Sequence, residues 1–201
     1  IIMTDIDQRN QAPENENKLI AQRREKLHQI RQLREAFPND FDRTDQSEQI
    51  HRAHGLKDVQ ELQAEARRVS VAGRIIRARG PFFVIQDGYG QLQLYMNNKT
   101  FDEVQAAELK ALDLGDIVGA KGELFKTQRG ELTVRVSEFR LLTKALRPLP
   151  DKHKGLSDTE TRYRQRYVDL IANDASRQTF AIRSRIVRCI RDYFHDRGFM
   201  E

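Results

Sequence analysis

The sequence is poor in cysteine and has no long apolar segment. Its one cysteine, Cys189, excludes a framework of disulfide bonds within the chain. No apolar run approaches the roughly 20 residues that a membrane-spanning helix needs, and no secretory signal pattern is present. These absences predict a cytoplasmic protein that has no membrane partner.

The usual signatures of catalytic and metal sites are also missing. The sequence has no phosphate-binding glycine loop and no nucleophile paired with a base. His51 and His54 are three residues apart, but no third ligand stands near them in sequence, which favours surface histidines over a metal site. The residues therefore predict a binding role, with no catalytic residue, no metal cluster and no cofactor in this chain.

Charge is distributed unevenly along the chain. The whole chain carries 35 Lys/Arg and 30 Asp/Glu, a net charge of +5. Residues 69–142 hold 10 basic and 9 acidic residues, whereas residues 143–201 hold 13 and 8. Charge alone does not identify a ligand for the central region, although a nearly neutral domain can still carry a local basic stripe.

The central region alternates apolar and polar residues with the period of two that half-buried strands require. Gly88 and Gly90 predict a turn between the second and third strands, because glycine tolerates the positive φ that tight hairpin turns require. A helix over 101–112 separates the third strand from the fourth. Three strands, a helix and two strands predict a five-stranded OB-fold barrel over 69–147, whose second and third strands bind oligonucleotides. The clearest inward positions are Val69, Val71, Gly73, Leu92, Leu94, Met96, Leu132, Val134 and Val136.

Helices and a linker are predicted around the barrel, which makes the chain mainly β with flanking helices (α+β). Residues 1–17 are polar and predict a disordered tail, and residues 18–68 predict a helical extension. Its first helix, over 18–36, has an apolar stripe of Ile20, Leu27, Ile30 and Leu33 and a basic outer face of Arg23, Arg24, Lys26, Arg31 and Arg34. A charged connector with His51 and His54 follows, and then a short helix over about 58–67. Pro148 and Pro150 begin a linker over 148–177. An amphipathic helix over 178–197 follows, in which Cys189 is predicted to be buried and Gly198 ends the helix.

Side chains in the outward phase of the barrel strands are the candidate ligand contacts. Gln93 and Tyr95 have this phase in the third strand, as do Glu131, Thr133 and Arg135 in the fifth. In the second strand, Phe82 and Phe83 are adjacent, so either one faces outwards while the other faces the core, or both are core. An outward aromatic ring can stack a nucleic-acid base, and amide or carboxylate groups can read base edges.

Several sequence runs resemble those of one enzyme family over nearly the whole chain. The most distinctive are the linker run from Leu141 to Lys152 and the arginine- and tyrosine-rich run from Arg162 to Ile171. They are similar to bacterial class II lysyl-tRNA synthetases, whereas aspartyl- and asparaginyl-tRNA synthetases share the barrel but not this linker. Taken by itself, the run from Arg162 to Tyr167 favours an interface between domains or subunits over an RNA contact.

The resemblance implies that the barrel binds the uridine-rich anticodon of lysine tRNA. By position, Phe82 would stack on a central base, and Gln93 and Glu131 would read base edges. One or more of Arg74, Arg77 and Arg79 would contact a base or a phosphate. The loop before Phe82 is shorter than in the family, which leaves open whether Phe82 or Phe83 stacks.

The resemblance also implies that residues 178–201 begin a class II catalytic domain, at its motif 1. In the family this helix forms the interface of a homodimer, here carried by Ile182, Ile186, Ile190 and Tyr193. The expected protein is the N-terminal fragment of a lysine ligase that uses ATP and magnesium; the fragment itself would be inactive. The alternatives are a standalone OB module that binds single-stranded nucleic acid, and a structural interaction module that binds no tRNA.

Overall fold

The computed structural model describes residues 5–150, 156 and 158–201, with side chains from Lys18 onward. The chain divides into two compact units between Pro148 and Leu149. No helix in the described part is long and apolar enough to cross a membrane. The helices are α1 (Asp5–Leu33), α2 (Ser47–His54), α3 (Val59–Glu65), α4 (Glu103–Ala111), α5 (Thr159–Arg164), α6 (Arg166–Ala172) and α7 (Asp174–His195). The strands are β1 (Arg68–Arg79), β2 (Phe82–Gln86), β3 (Gln91–Tyr95), β4 (Ile117–Lys126) and β5 (Leu132–Thr143).

The five strands form a closed barrel in the order β1-β2-β3-β5-β4. Strand β1 also pairs with β4, which closes the ring, and the pairing of β3 with β5 is parallel while the others are antiparallel. With α4 between β3 and β4, this arrangement confirms the predicted five-stranded OB-fold and its flanking helices. Closing the sheet leaves the barrel without free edges.

The barrel interior holds the apolar residues that the alternation predicted. Leu94, Val118 and Val134 are completely buried, and Val69, Val71 and Leu92 are nearly so. One residue departs from the pattern, because Thr133 has the outward phase and is nevertheless fully buried. Gly122 permits close strand packing, since a Cβ there would lie 2.1 Å from the carbonyl oxygen of Arg135.

The turn between β2 and β3 is built differently from the prediction. Neither Gly88 nor Gly90 has positive φ. Instead, the Asp87 carboxylate accepts hydrogen bonds from the backbone N–H groups of Tyr89 and Gly90, both at 2.8 Å. Glycine is favoured at Gly90 for its size, because a Cβ would lie 3.0 Å from the Ser47 hydroxyl. An aspartate turn thus replaces a glycine turn.

The first helix begins at Asp5 rather than at Lys18. The segment before Lys18 contains no glycine, although Pro13 in it removes one helix hydrogen bond, and extending an existing helix is cheaper than starting one. The disordered tail predicted over residues 1–17 is therefore not seen from Asp5 on, while residues 1–4 lie outside the described residues. At the other end, Leu33 is 81% exposed, so the predicted apolar stripe continues only as far as Ile30.

The predicted basic outer face is wrong for three of its members, Arg23 and Lys26 on α1 and Arg34 directly after it. Arg23 is buried and donates to the backbone carbonyl oxygens of Leu114, Ala145 and Arg147 at 2.9–3.1 Å. Lys26 and Arg34 each make an ion pair with an acidic residue of the barrel unit. These pairs are Lys26–Asp113 at 2.8 Å and Arg34–Glu108 at 2.6 Å.

A second helix, α2, occupies a region that the sequence pattern left as a charged connector. Its N-terminus is held to the β2–β3 turn, where the Ser47 hydroxyl donates to the Asp87 carboxylate at 2.6 Å. The two histidines of this helix have separate partners. His51 lies 3.0 Å from the Gln91 carbonyl oxygen, and His54 lies 3.2 Å from the Glu65 carboxylate. They therefore do not converge on one point.

The second unit contains more helix than predicted. Helices α5 and α6 occupy part of the predicted linker 148–177, of which residues 151–155 and 157 lie outside the described residues. Arg162 and Arg166 both bind the buried carboxylate of Asp169. Two guanidinium groups on one carboxylate stabilise the helix junction, so these two arginines have a structural role within the unit.

Helix α7 begins at Asp174, four residues before its predicted start, and Gly198 ends it as predicted. Gly198 has φ of +80°, and the N–H of Phe199 bonds the carbonyl oxygen of Phe194. The prediction of a buried Cys189 is wrong, because the residue is exposed. Nothing within the described residues covers the apolar stripe on which Cys189 lies.

Candidate nucleic-acid interface

Strand register places the candidate residues in two rows across the outer face of the barrel. In the first row, Phe82 pairs with Tyr95 and Tyr95 pairs with Arg135. The second row joins Val84 to Gln93, Gln93 to Thr133 and Thr133 to Phe125. Because side chains directly opposite one another on paired strands are in contact distance, the rows form one continuous surface over β2, β3, β5 and β4.

Three aromatic rings and one guanidinium group follow one another across this surface. The rings of Phe82 and Tyr95 are 5.2 Å apart at an angle of 53°. Tyr95 meets Phe125 edge-on at 6.1 Å, and the Arg135 guanidinium lies 4.8 Å from the Phe125 ring centre. Such tilted and edge-on contacts hold each ring in place. We call this set, Phe82, Tyr95, Phe125 and Arg135, the aromatic ladder.

The structure separates the two adjacent phenylalanines. Phe82 belongs to the aromatic ladder and lines the outer groove. Phe83 packs instead against the barrel core. The alternative that both rings are core is therefore wrong, and Phe82 is the ring that is available for stacking.

An open groove of about 1070 Å³ runs along these rows. It brings together five of the six predicted contact residues. These are Arg77, Arg79, Phe82, Gln93 and Glu131. The predicted contact Arg74 lies elsewhere, because its guanidinium donates to the Gly115 carbonyl oxygen at 2.7 Å. Arg74 thus supports the loop before β4 and does not line the groove.

The groove is basic although the barrel as a whole is nearly neutral. Its charged lining consists of four arginines and one glutamate, and within the described residues none of the five is in an ion pair. A concave surface with unpaired positive charge attracts a phosphate backbone. These charged residues are Arg77, Arg79, Arg129, Arg135 and Glu131.

Four groove residues lie outside the six contacts that the resemblance implied, namely Tyr95, Phe125, Arg129 and Arg135. Alternation along β3 predicts that Tyr95 faces outwards, and alternation along β5 predicts the same of Arg135. Phe125 alternates with the buried Leu124, so its orientation was also readable from sequence. Arg129 had no such signal, because it lies in the tight turn before Gly130, where φ is +79°.

Polar groups in the groove are held by short local hydrogen bonds. Gln93 Nε2 donates to the Thr133 hydroxyl at 3.0 Å, and this hydroxyl donates to the Glu131 carbonyl oxygen at 3.1 Å. The Glu131 side chain is exposed and lines the groove. An amide and a carboxylate placed beside an aromatic surface are groups that can read the edge of a stacked base.

A separate candidate surface lies on α7 in the second unit. Its predicted interface residues are each about half exposed and lie on one face of the helix. They are Ile182 (48%), Ile186 (54%), Ile190 (51%) and Tyr193 (51%). A contiguous apolar face of this kind marks an association surface.

Comparisons with known proteins match both units. Residues 69–142 match the model of the OB-fold nucleic acid binding domain. Residues 158–201 match the model of class II tRNA synthetases of the D, K and N group. The first match covers all five strands apart from Arg68 at the start of β1 and Thr143 at the end of β5.

Relatives named lysine–tRNA ligase match almost the whole chain. The protein of Teredinibacter turnerae is 52% identical over 199 residues, which are 99% of this chain and 39% of the relative. That of Neisseria meningitidis serogroup A is 53% identical over 191 residues, 93% of this chain and 38% of the relative. A Pseudomonas aeruginosa relative is 51% identical over 197 residues, which are 98% of this chain and 39% of the relative. The chain thus spans about two fifths of the length of these relatives.

Proposed function

Because this chain is a relative of the class II lysine–tRNA ligases, we propose that its barrel binds the anticodon loop of lysine tRNA. The chain would be the recognition part of a cytoplasmic enzyme that attaches lysine to its tRNA with ATP and magnesium. Within the described residues, no group of three or more His, Cys, Asp and Glu side chains is placed to hold a metal ion.

The observation that carries the proposal is the aromatic ladder inside a basic groove. Single-stranded loops are bound by stacking their bases on aromatic rings while arginines hold the phosphates. The ladder starts at Phe82, which is half-buried on β2, and Arg77 and Arg79 lie on the adjacent β1 edge of the groove. The groove therefore offers the stacking and the charge that an anticodon loop requires.

Each groove residue has a role in this proposal that its position supports. Phe82 stacks on a base, and Arg77 and Arg79 contact phosphates. Gln93 and Glu131 bond to base edges, because both line the groove beside the ladder. These two polar groups distinguish the proposal from its rival, an OB module without sequence preference, for which stacking and charge alone suffice.

We also propose that the apolar face of α7 joins two copies of the ligase. Ile182, Ile186 and Ile190 are spaced four residues apart, so they lie along one side of the helix. A second copy would present the same face and bury it, as in an isologous interface.

The experiment that tests base readout is Glu131→Gln. We expect the variant to lose part of its preference for lysine tRNA over a tRNA with an altered anticodon, by about 1 to 3 kcal/mol, because a neutral amide replaces an edge-reading carboxylate. The measurement is a filter-binding titration with both RNAs at one salt concentration. Arg129→Gln is the matched control, since it changes one groove charge and should weaken both RNAs equally. If Glu131→Gln instead tightens binding to every RNA with an unchanged ratio, Glu131 is a repulsive surface acid and the rival OB module is favoured.

A further inference from the structure

Thr133 is the one residue of the second groove row that water does not reach. Its side chain is fully buried beneath the groove surface. Its hydroxyl oxygen lies 3.0 Å from Gln93 Nε2 and 3.1 Å from the Glu131 carbonyl oxygen. A buried hydroxyl with two defined neighbours restricts which group each neighbour presents.

The direction of these two hydrogen bonds follows from the chemistry of the groups. A carbonyl oxygen can only accept, so the 3.1 Å contact between the Thr133 hydroxyl oxygen and the Glu131 carbonyl oxygen is favourable only when the single hydroxyl proton lies between them. The hydroxyl oxygen is then left as an acceptor for Gln93. The Gln93 amide must therefore present its NH₂ group to Thr133, and the opposite amide orientation would place two oxygens in contact without a proton between them.

This leaves the other half of the amide for the ligand. Gln93 lines the groove, and within the described residues no donor bonds its Oε1 atom, which is also absent from the buried unsatisfied atoms. Oε1 is thus an open hydrogen-bond acceptor. Uracil and guanine carry a ring N–H on the Watson–Crick edge, whereas cytosine and adenine carry a bare ring nitrogen there. An acceptor that faces the ring nitrogen favours the first pair, and it disfavours the second because two acceptors would then face each other.

We propose that Thr133 is a positioning residue that locks the Gln93 amide, so that the groove selects a base with a ring N–H. The proposal rests on the proposed function, because it assigns a base-reading role to the same groove. Thr133 acts through Gln93 and does not itself touch the base. Its hydroxyl decides which end of the amide the RNA meets.

The test is Thr133→Val, which removes the hydroxyl at nearly constant volume. The Glu131 carbonyl oxygen keeps a second donor, the backbone N–H of Thr127 at 3.0 Å, so the change leaves no buried carbonyl unpaired. The probes are oligouridylate and oligocytidylate of equal length, titrated by fluorescence anisotropy at one salt concentration. We expect the wild-type chain to prefer oligouridylate and Thr133→Val to lower that preference by about fivefold or more. Thr133→Ser, which keeps the hydroxyl, should retain it.

A double variant tests the amide orientation directly. In Thr133→Val with Gln93→Glu, both side-chain oxygens at position 93 are acceptors, so rotation of the group has no effect on what it presents. We expect the preference for oligouridylate to return, at lower overall affinity, because a carboxylate repels phosphates. A thermal melt of each variant shows that the comparison is made on folded protein.

The possible outcomes separate this inference from the proposed function. If Thr133→Val keeps the wild-type preference, or if Thr133→Ser loses it, Thr133 does not position the amide. If the wild-type chain binds both oligonucleotides equally, the inference is also wrong. The proposed function is decided separately, by whether the anticodon of intact lysine tRNA controls its affinity for the chain.

Discussion

Phe82 and Phe83 are adjacent on β2, but they face opposite sides of the barrel wall. Phe82 contacts Tyr95 in the groove, with ring centres 5.2 Å apart, while Phe83 packs on the core. Removing an outward ring weakens ligand binding, because a stacking surface is lost. Removing an inward ring destabilises the fold, because buried apolar area is lost and a cavity remains. The two residues therefore provide matched variants of the same size on the same strand.

We expect Phe82→Ala to weaken binding of lysine tRNA by about 1 to 3 kcal/mol with little effect on folding. Phe83→Ala should lower the free energy of unfolding by about 3 to 5 kcal/mol. Tyrosine-fluorescence urea titrations measure stability, and filter binding measures affinity. A Phe82→Ala variant that unfolds more easily and binds tRNA with wild-type affinity would place the stacking site elsewhere.

At the residue scale, alternation along the strands was enough to predict the outward faces of Gln93, Tyr95 and Arg135. It did not decide between Phe82 and Phe83, because a pair at the start of a strand fits either phase. The contact that the resemblance implied for Arg74 is not in the groove, because its guanidinium bonds the Gly115 carbonyl oxygen. A long side chain can reach a distant acceptor, and sequence spacing does not record that acceptor.

The β2–β3 turn and α2 are joined by the carboxylate of one residue, Asp87. Burial by itself would raise the pKa of Asp87, but hydrogen bonds from Ser47, Tyr89 and Gly90 outweigh it and lower the pKa below its ordinary value of 3.8. A carboxyl whose pKa is lower in the folded state stabilises the fold above its unfolded-state pKa. That contribution is lost as the pH falls through the folded-state pKa.

We therefore expect Asp87→Asn to destabilise the protein at neutral pH by about 1 to 3 kcal/mol, because bonds to a charged acceptor become bonds to a neutral one. The difference from wild type should shrink as the pH falls from the unfolded-state pKa through the folded-state pKa of Asp87, which lies under 3.8. Urea unfolding midpoints of the wild type and the variant, taken at pH 7 and at acid pH, measure the destabilisation and its dependence on pH. Asp102→Asn, which alters the cap of α4, is the control. A difference that stays constant with pH would show that the Asp87 charge is not what holds the turn.

The exposed face of α7 gives the second prediction at the element scale. We expect the chain to self-associate through this face and Ile186→Glu to weaken the association about tenfold or more, because a charge would enter an apolar contact. Ser184→Glu adds the same charge on another face of the helix, where the residue is exposed, and should leave association unchanged. Sedimentation velocity over a concentration series measures both variants.

Two results would contradict this prediction for α7. One is a wild-type chain that stays monomeric at every concentration. The other is equal weakening by Ile186→Glu and Ser184→Glu, since a general effect of charge would then explain the loss. Either result would leave the stripe without the proposed partner.

At the element scale, the periodic segments and some short elements were predicted, whereas α2, α5 and α6 were not. The five strands and α7 were found because their apolar period is clear over many residues. Helix α2 was missed, since its eight residues contain four charged or histidine side chains; its position depends on the tertiary bond from Ser47 to Asp87. Helices α5 and α6 were taken for linker because the stabilising contact, two arginines on Asp169, is set by packing.

The whole molecule combines a barrel unit that carries the groove with a helical unit that carries the apolar face. The fold of the barrel followed from the order of its strands, and the resemblance of distinctive runs gave the relationship to lysine–tRNA ligases. What the sequence could not supply was the basic character of the groove. The barrel region is nearly neutral by count, and only folding gathers Arg77, Arg79, Arg129 and Arg135 into one place.

The most direct test of anticodon recognition compares lysine tRNA with a variant in which the central anticodon base alone is changed. Both are titrated with the wild-type chain in filter-binding assays at one salt concentration. We predict that the change weakens binding by about 1 to 3 kcal/mol, because stacking on Phe82 and the bonds from Gln93 and Glu131 all act on the anticodon loop. Equal affinity for the two tRNAs would contradict the account and identify the groove as a binding surface without sequence preference.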